Sequence, residues 1–178
     1  MDIQKIIFLI VNVVGGLGVL GSYFIGFATH PGASEKLWGN VTPLLKSVYT
    51  VTMPLAAIGY FLFAYFILFQ LDSKKAMIGD FFGFEALTVI FIIILLPSAM
   101  WMPLTFKMIE APNLQLWWAI RIVLLVIALA SLALICALLS LNQREPAWSY
   151  WLAVIGSVLF FVETGIMDAF IWPAYFPV

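Results

Sequence analysis

WSYWLAVIGSVLFFVETGIMDAFIW, residues 148–172, is the segment that decides the fold. A helix of about 20 apolar residues crosses the hydrocarbon core of a bilayer, and this run is long enough to do so. It also carries two carboxylates, Glu163 and Asp168. An ionised acid inside a membrane is costly, so such residues usually face the bundle interior, find a partner and mark a working site. The end of the chain is therefore the first place to look for function.

Four more runs of similar length precede this one, and charged residues separate them. The predicted spans are residues 6–28, 44–71, 81–108, 114–141 and 148–172. The chain is 65% hydrophobic and 10% charged, with a mean hydropathy of +1.12, whereas soluble domains carry about 25% charged residues. The runs lack the period-two alternation of barrel strands. We predict an all-α polytopic membrane protein, with residues 1–178 forming a single five-helix transmembrane bundle.

Several functional classes find no support in the sequence. No basic tract indicates nucleic-acid binding, and the single Cys136 excludes an intramolecular disulfide or a cysteine metal cluster. No His-x-x-His pair, Ser-His-Asp set or glycine-rich phosphate loop occurs. We therefore predict no metal site and assign no catalytic residue. The apolar spans predict the bilayer as a partner, and the aromatic residues that gather with a few polar groups on one side of the membrane predict a lipophilic small molecule as another.

Five spans place the two termini on opposite membrane faces, called here the N-face and the C-face. The N-face also holds the second and fourth loops, and the C-face holds the first and third. Positive residues number four on the N-face (Lys5, Lys74, Lys75, Arg144) and three on the C-face (Lys36, Lys46, Lys107). The positive-inside rule then favours a cytoplasmic N-terminus.

Counting from the span ends places three charged residues in the leaflet of the C-face. At 1.5 Å per residue, Arg121 lies about 10 Å, Glu163 about 13 Å and Asp168 about 6 Å below that surface. An ion pair would offset much of the cost of burying charge, so we predict that Glu163 pairs with Arg121. Trp117 or Trp118 is expected to stack on the guanidinium.

Small residues spaced by four line one face of the first span. Gly18, Ser22 and Gly26 permit close helix approach, either inside the bundle or in a homodimer.

Three short motifs resemble the TspO/MBR family of tryptophan-rich sensory and translocator proteins. Trp101-Met-Pro-Leu-Thr-Phe106 is similar to the family's Trp-x-Pro-Leu-Phe-Phe, and Val48-Tyr49-Thr50 is similar to its Val-Trp-Thr. Asp168-Ala-Phe-Ile-Trp172 resembles the family's Asn-then-Trp ending, whereas Glu163 has no counterpart.

The resemblance implies a five-helix bundle, often dimeric, in a bacterial membrane or an organelle of bacterial origin. It implies a receptor or transport protein that binds a porphyrin, haem or sterol-like ligand between helices, under the first loop. No cofactor is assigned; the resemblance implies porphyrin or haem as a ligand. The residues implied to line the pocket are Trp38, Tyr49, Trp101, Trp118, Asp168 and Trp172.

Two other functions stay open at this point. Glu163 and Asp168 could serve as acid and base in an intramembrane isomerase or lipid-modifying enzyme, because carboxylates in different surroundings can divide those roles. The chain could also be a transporter or an accessory subunit of a membrane complex, although no inverted repeat is visible.

Overall fold

A computed structural model describes residues 2–176, and the described chain is built from helices. The helices are α1 (Ile3–Thr29), α2 (Ala33–Trp38), α3 (Pro43–Gln70), α4 (Phe84–Glu110), α5 (Leu114–Leu139) and α6 (Ala147–Tyr175). All except the short α2 are long and apolar enough to cross a membrane. The predicted all-α, five-helix bundle is confirmed, as expected for an integral membrane protein.

Side-chain caps fix where several helices begin. Asp2, Thr42 and Asn113 each accept a hydrogen bond from the backbone N–H three residues on, at 3.1, 3.4 and 2.9 Å. These bonds satisfy backbone donors that have no partner within the helix. Most span boundaries fall within about three residues of their predicted positions, the usual uncertainty at helix ends.

The helices form a ring with one weak contact. α1 packs against α4, α4 against α5, α5 against α6 and α6 against α3. Between α1 and α3 the contacts are few. A 2.6 Å hydrogen bond from the Tyr60 hydroxyl to Asn12 Oδ1 joins the two helices, and a gap remains between them.

Small residues of α1 pack against α4. A side chain at Gly26 would collide with the ring of Phe106, and one at Gly18 would reach Ala99 at 3.6 Å. The Ser22 hydroxyl bonds to the Val19 carbonyl of its own helix at 2.7 Å. Part of this face is therefore occupied inside the chain, and the homodimer through it stays a prediction.

Wide π-helical turns interrupt two of the spans. One ends α3 at Phe66–Gln70, and the other occupies Val162–Ile171 within α6. In a π-helix the hydrogen bond runs between residues five apart, and such turns are frequent at functional sites. Residues five apart are about 140° apart around an α-helix, but about one full turn apart in a π-helix. The π segment therefore brings Glu163 and Asp168 closer to the same side of α6 than a regular α-helix would.

Candidate functional site

A cavity of about 320 Å³ lies in the C-face half of the bundle. Helices α1, α3, α4 and α6 form its walls, and α2 in the first loop covers it. The lining is aromatic and aliphatic with few polar groups: Tyr23, Phe27, Ser34, Leu37, Trp38, Tyr49, Met53, Trp101, Met102, Asp168 and Trp172.

Five of the six predicted ligand-binding residues line this one cavity. They come from four separate elements: Trp38, Tyr49, Trp101, Asp168 and Trp172. The sixth, Trp118, does not line it; its side chain is 58% exposed on the outside of α5. The structure thus brings together residues far apart in the chain, and their role in binding stays a prediction.

Edge-to-face contacts hold the aromatic rings of the wall in place. Trp38 meets Tyr49 at 5.3 Å between ring centres, and Trp101 meets both Trp172 at 5.9 Å and Tyr23 at 6.1 Å. Edge-to-face pairs at such distances stabilise each other beyond simple burial. The wall is consequently a fixed aromatic surface that joins α1, α2, α3, α4 and α6.

Hydrogen bonds fasten the first loop to the end of α6. Trp172 Nε1 donates to the Leu37 carbonyl at 2.8 Å, and the Asn40 backbone N–H donates to the Tyr175 carbonyl at 2.8 Å. A contact of 3.0 Å between His30 Nε2 and Glu110 Oε1 joins the start of the same loop to the end of α4. These contacts hold α2 over the cavity.

The polar character of the wall is concentrated at Asp168. Its carboxylate forms no hydrogen bond with another described side chain or backbone group, although the side chain is half-buried. Trp101 Nε1 is buried and also lacks a hydrogen-bond partner. No lysine or arginine belongs to the lining. Because buried polar groups are normally paired, these two mark positions where a ligand can supply the missing partner.

Glu163 lies deeper than Asp168 and is also unpaired. The residue is 5% exposed, and neither carboxylate oxygen has a hydrogen-bond partner. Thr52 on α3 is close enough to influence this carboxyl, but its buried hydroxyl forms no hydrogen bond with it. Glu163 is also within electrostatic range of Asp168.

The predicted ion pair between Arg121 and Glu163 is wrong. Ion pairs within 4 Å in the described part of the chain join His30 to Glu110 and Lys75 to Asp72. Arg121 instead places its guanidinium 5.8 Å from the ring centre of Trp117, the stacking predicted for one of the two neighbouring tryptophans. Similar depth in the membrane was not sufficient, because a pair also needs both side chains on facing sides of their helices.

Two residues of α1 were missed by sequence reasoning. Tyr23 and Phe27 stand one turn apart and both line the cavity. Tyr23 is the only tyrosine of the first apolar run, and its aromatic ring with a hydroxyl was a signal that could have been used.

Comparison of the chain with protein-family models, curated proteins and solved structures gives no match. The resemblance to the TspO/MBR family and the bacterial origin that it implies stay predictions, as does the cytoplasmic N-terminus predicted from the positive-inside rule.

Proposed function

We propose that this membrane protein binds a flat lipophilic ligand in the cavity beneath the first loop. The observation that carries the proposal is the wall itself, apolar and aromatic with a few polar groups, as small-molecule sites usually are. The proposed ligand is a sterol-like molecule, a porphyrin or haem. A volume of about 320 Å³ is at the low end for such sites, which span about 300–1,000 Å³. This volume favours a compact fused-ring ligand over a larger porphyrin.

The gap between α1 and α3 supports access for such a ligand from the bilayer. An apolar groove of about 510 Å³ lies there, between α1, α3, α4 and α6. Its residues Leu20, Ala57 and Ser98 stand three or four positions from Tyr23, Met53 and Trp101 of the cavity. That spacing is one helical turn on each helix. The groove therefore leads from the lipid-facing gap towards the cavity.

Ligand binding can be tested by titrating purified protein with protoporphyrin and with a fluorescent sterol while following tryptophan fluorescence. We expect saturable quenching or energy transfer that weakens in Trp101→Phe. Trp118→Phe is the matched control, because that ring is on the outer surface. The proposal fails if neither probe saturates, or if both variants behave as the unmodified protein.

Access through the gap has its own matched pair of variants. Gly16 lines the groove and Gly21 does not, and an added Cβ atom meets no atom within 4 Å at either position. Gly16→Leu should slow association and dissociation while Gly21→Leu leaves both unchanged. Equal rates in the two variants would exclude this route without excluding binding.

A second candidate function is acid–base catalysis on a membrane-dissolved substrate. It is favoured by the two carboxyls one π-helical turn apart, with Asp168 at the cavity wall and Glu163 buried behind it. Different surroundings allow paired carboxyls to divide the acid and base roles. Glu163→Gln should then keep binding but lose turnover, measured by mass spectrometry of the bound lipid. Unaltered lipid after prolonged incubation with the unmodified protein would count against catalysis.

A further inference from the structure

We propose that the ligand of this cavity carries a positively charged nitrogen, held between the Asp168 carboxylate and the surrounding aromatic rings. This inference rests on the proposed function, since it names the chemical class of the ligand that the cavity takes. It makes a lipophilic amine the preferred ligand.

The charged side chains in the cavity wall and directly behind it are acidic. Asp168 is in the wall, Glu163 is within electrostatic range behind it, and the lining has no basic residue. The Lys46 ammonium lies 5.9 Å from the ring centre of Trp38, but Lys46 does not belong to the lining. A ligand with a negative group would be placed against like charge, which costs affinity.

An amine supplies what the Asp168 carboxylate lacks. An acidic group in the low-dielectric interior of a membrane protein is stabilised when it pairs with an opposite charge. A neutral ligand can offer only an ordinary hydrogen bond, which is weaker than one between charged groups. The unpaired state of Asp168 among the described residues therefore favours a cationic ligand over its neutral analogue.

The rings around Asp168 favour the same class of ligand. Trp38, Tyr49, Trp101, Tyr23 and Trp172 all contribute to the wall. The faces of aromatic rings attract cations within about 6 Å, most strongly for tryptophan and when water is excluded. A cavity wall that combines a carboxylate with such rings is suited to an amine that bears apolar substituents, because the rings can contact both the charge and the substituents.

A preference for a cationic ligand distinguishes among sterol-like, porphyrin and haem ligands. The acidic side chains of a porphyrin or haem would face Asp168 and Glu163 with like charge, whereas a sterol-like ring system with an amino group would not. Sterol-like amines should therefore bind more tightly than porphyrins at this site.

A matched steroid series provides the test. One steroid skeleton carries at position 3 a dimethylamino, a hydroxyl or a carboxyl group, giving a cation, a neutral molecule and an anion. Binding is measured by tryptophan fluorescence with the full chain in nanodiscs of phosphatidylcholine, whose lipid has no net charge. We expect the amine to bind at least about tenfold more tightly than the alcohol, and the acid to bind most weakly.

Variants of the cavity residues test whether Asp168 and the aromatic rings cause the preference for the amine. Asp168→Asn should weaken binding of the amine to the level of the alcohol, while binding of the alcohol changes little. Glu35→Gln removes an exposed acid of α2 on the same membrane face and is the control for general surface attraction; its selectivity should equal that of the unmodified protein. If Asp168→Asn does not fold, Trp38→Leu should still weaken the amine more than the alcohol.

The possible results distinguish the preference for a cationic ligand from the proposed binding of a lipophilic ligand. Equal affinity for the amine and the alcohol in the unmodified protein overturns the inference and leaves lipophilic binding intact. An amine preference that survives in both Asp168→Asn and Trp38→Leu also overturns it. Failure of all three steroids to bind, together with failure of protoporphyrin, overturns the proposed function itself.

Discussion

The Tyr49 hydroxyl donates a 2.7 Å hydrogen bond to the Met167 carbonyl oxygen, joining α3 to the π segment of α6 next to Asp168. Met167 also accepts the backbone N–H of Trp172, five residues on, within the π turn. Tyr49 is 1% exposed, so water does not compete for this bond. The contact ties the wide turn that presents Asp168 to a neighbouring helix.

Tyr49→Phe should therefore destabilise the protein by about 0.5–1.5 kcal/mol, the net contribution of a typical internal hydrogen bond. It should also weaken ligand binding, because the phenylalanine ring fills the same space but no longer holds the π segment. Thermal unfolding in detergent and fluorescence titration measure the two effects. Tyr65→Phe is the control, since the hydroxyl of Tyr65 is bonded to Gln70 in an exposed position. Equal unfolding temperatures for both variants would contradict the prediction.

Gly59 and Gly156 face each other where α3 crosses α6. A Cβ atom added to Gly156 would lie 2.6 Å from the Gly59 carbonyl oxygen, and one added to Gly59 would meet the carbonyl of Gly156. Backbone atoms cannot move aside as a flexible side chain can. Gly59→Ala and Gly156→Ala should each lower stability by about 1–3 kcal/mol, as overpacking does.

Gly21→Ala is the matched control for that crossing, because its Cβ would meet nothing within 4 Å. Alanine is the better helix former by about 1 kcal/mol, so this variant should be neutral or slightly stabilising in the same unfolding measurement. If all three alanine variants unfold alike, the close approach of α3 and α6 is not what stabilises the bundle.

The sequence was sufficient for the membrane spans and for five of the eleven residues that line the cavity. Span boundaries follow from long apolar runs ended by charged and capping residues, which a sequence displays directly. Four of the six aromatic residues of the wall were predicted from the family resemblance, Tyr23 and Phe27 were missed, and the predicted Trp118 lies outside the wall. The residues of one cavity come from distant parts of the chain. The helical periodicity of a sequence does not show which distant residues meet, so the prediction depended on recognising short motifs.

The polar part of the site was harder to predict for a geometric reason. Placing Glu163 opposite Arg121 rested on an α-helical count, which gives depth well and angular position only if the helix is regular. The π segment over Val162–Ile171 changes the angular position of Glu163 and Asp168 around the helix axis. No residue pattern in the segment predicted a π-helix. Glu163 consequently lies buried without a hydrogen-bond partner, while Arg121 stacks on Trp117.

Asp2 at the start of α1 gives the fold a measurable pH dependence. Hydrogen bonds from the Ser73 hydroxyl and the Lys5 backbone N–H lower the pKa of this carboxyl from its ordinary value of 3.8. A lowered pKa in the folded state means that the carboxylate stabilises folding above pH 3.8, and that the effect disappears as pH falls through the folded-state pKa.

Asp2→Ala should therefore lower the unfolding temperature at pH 7, and the difference from the unmodified protein should shrink once the pH is below about 4. Asp80→Ala is the comparison, because the exposed Asp80 carboxyl forms no hydrogen bond with a described residue. A difference for Asp2→Ala that is constant from pH 7 to pH 3 would show that the capping charge is not its source.

The cover of the cavity depends on the 2.8 Å hydrogen bond from Trp172 Nε1 to the Leu37 carbonyl. Trp172→Phe keeps an aromatic ring at a position that is 4% exposed but removes the donor. Losing about 1 kcal/mol at that contact should raise the amide hydrogen exchange of α2 by about fivefold, since exchange there requires local opening. Trp118→Phe, on the outer surface of α5, should leave the exchange unchanged. If α2 exchanges equally in both variants, the first loop is held over the cavity by its other contacts, among them Asn40 with Tyr175.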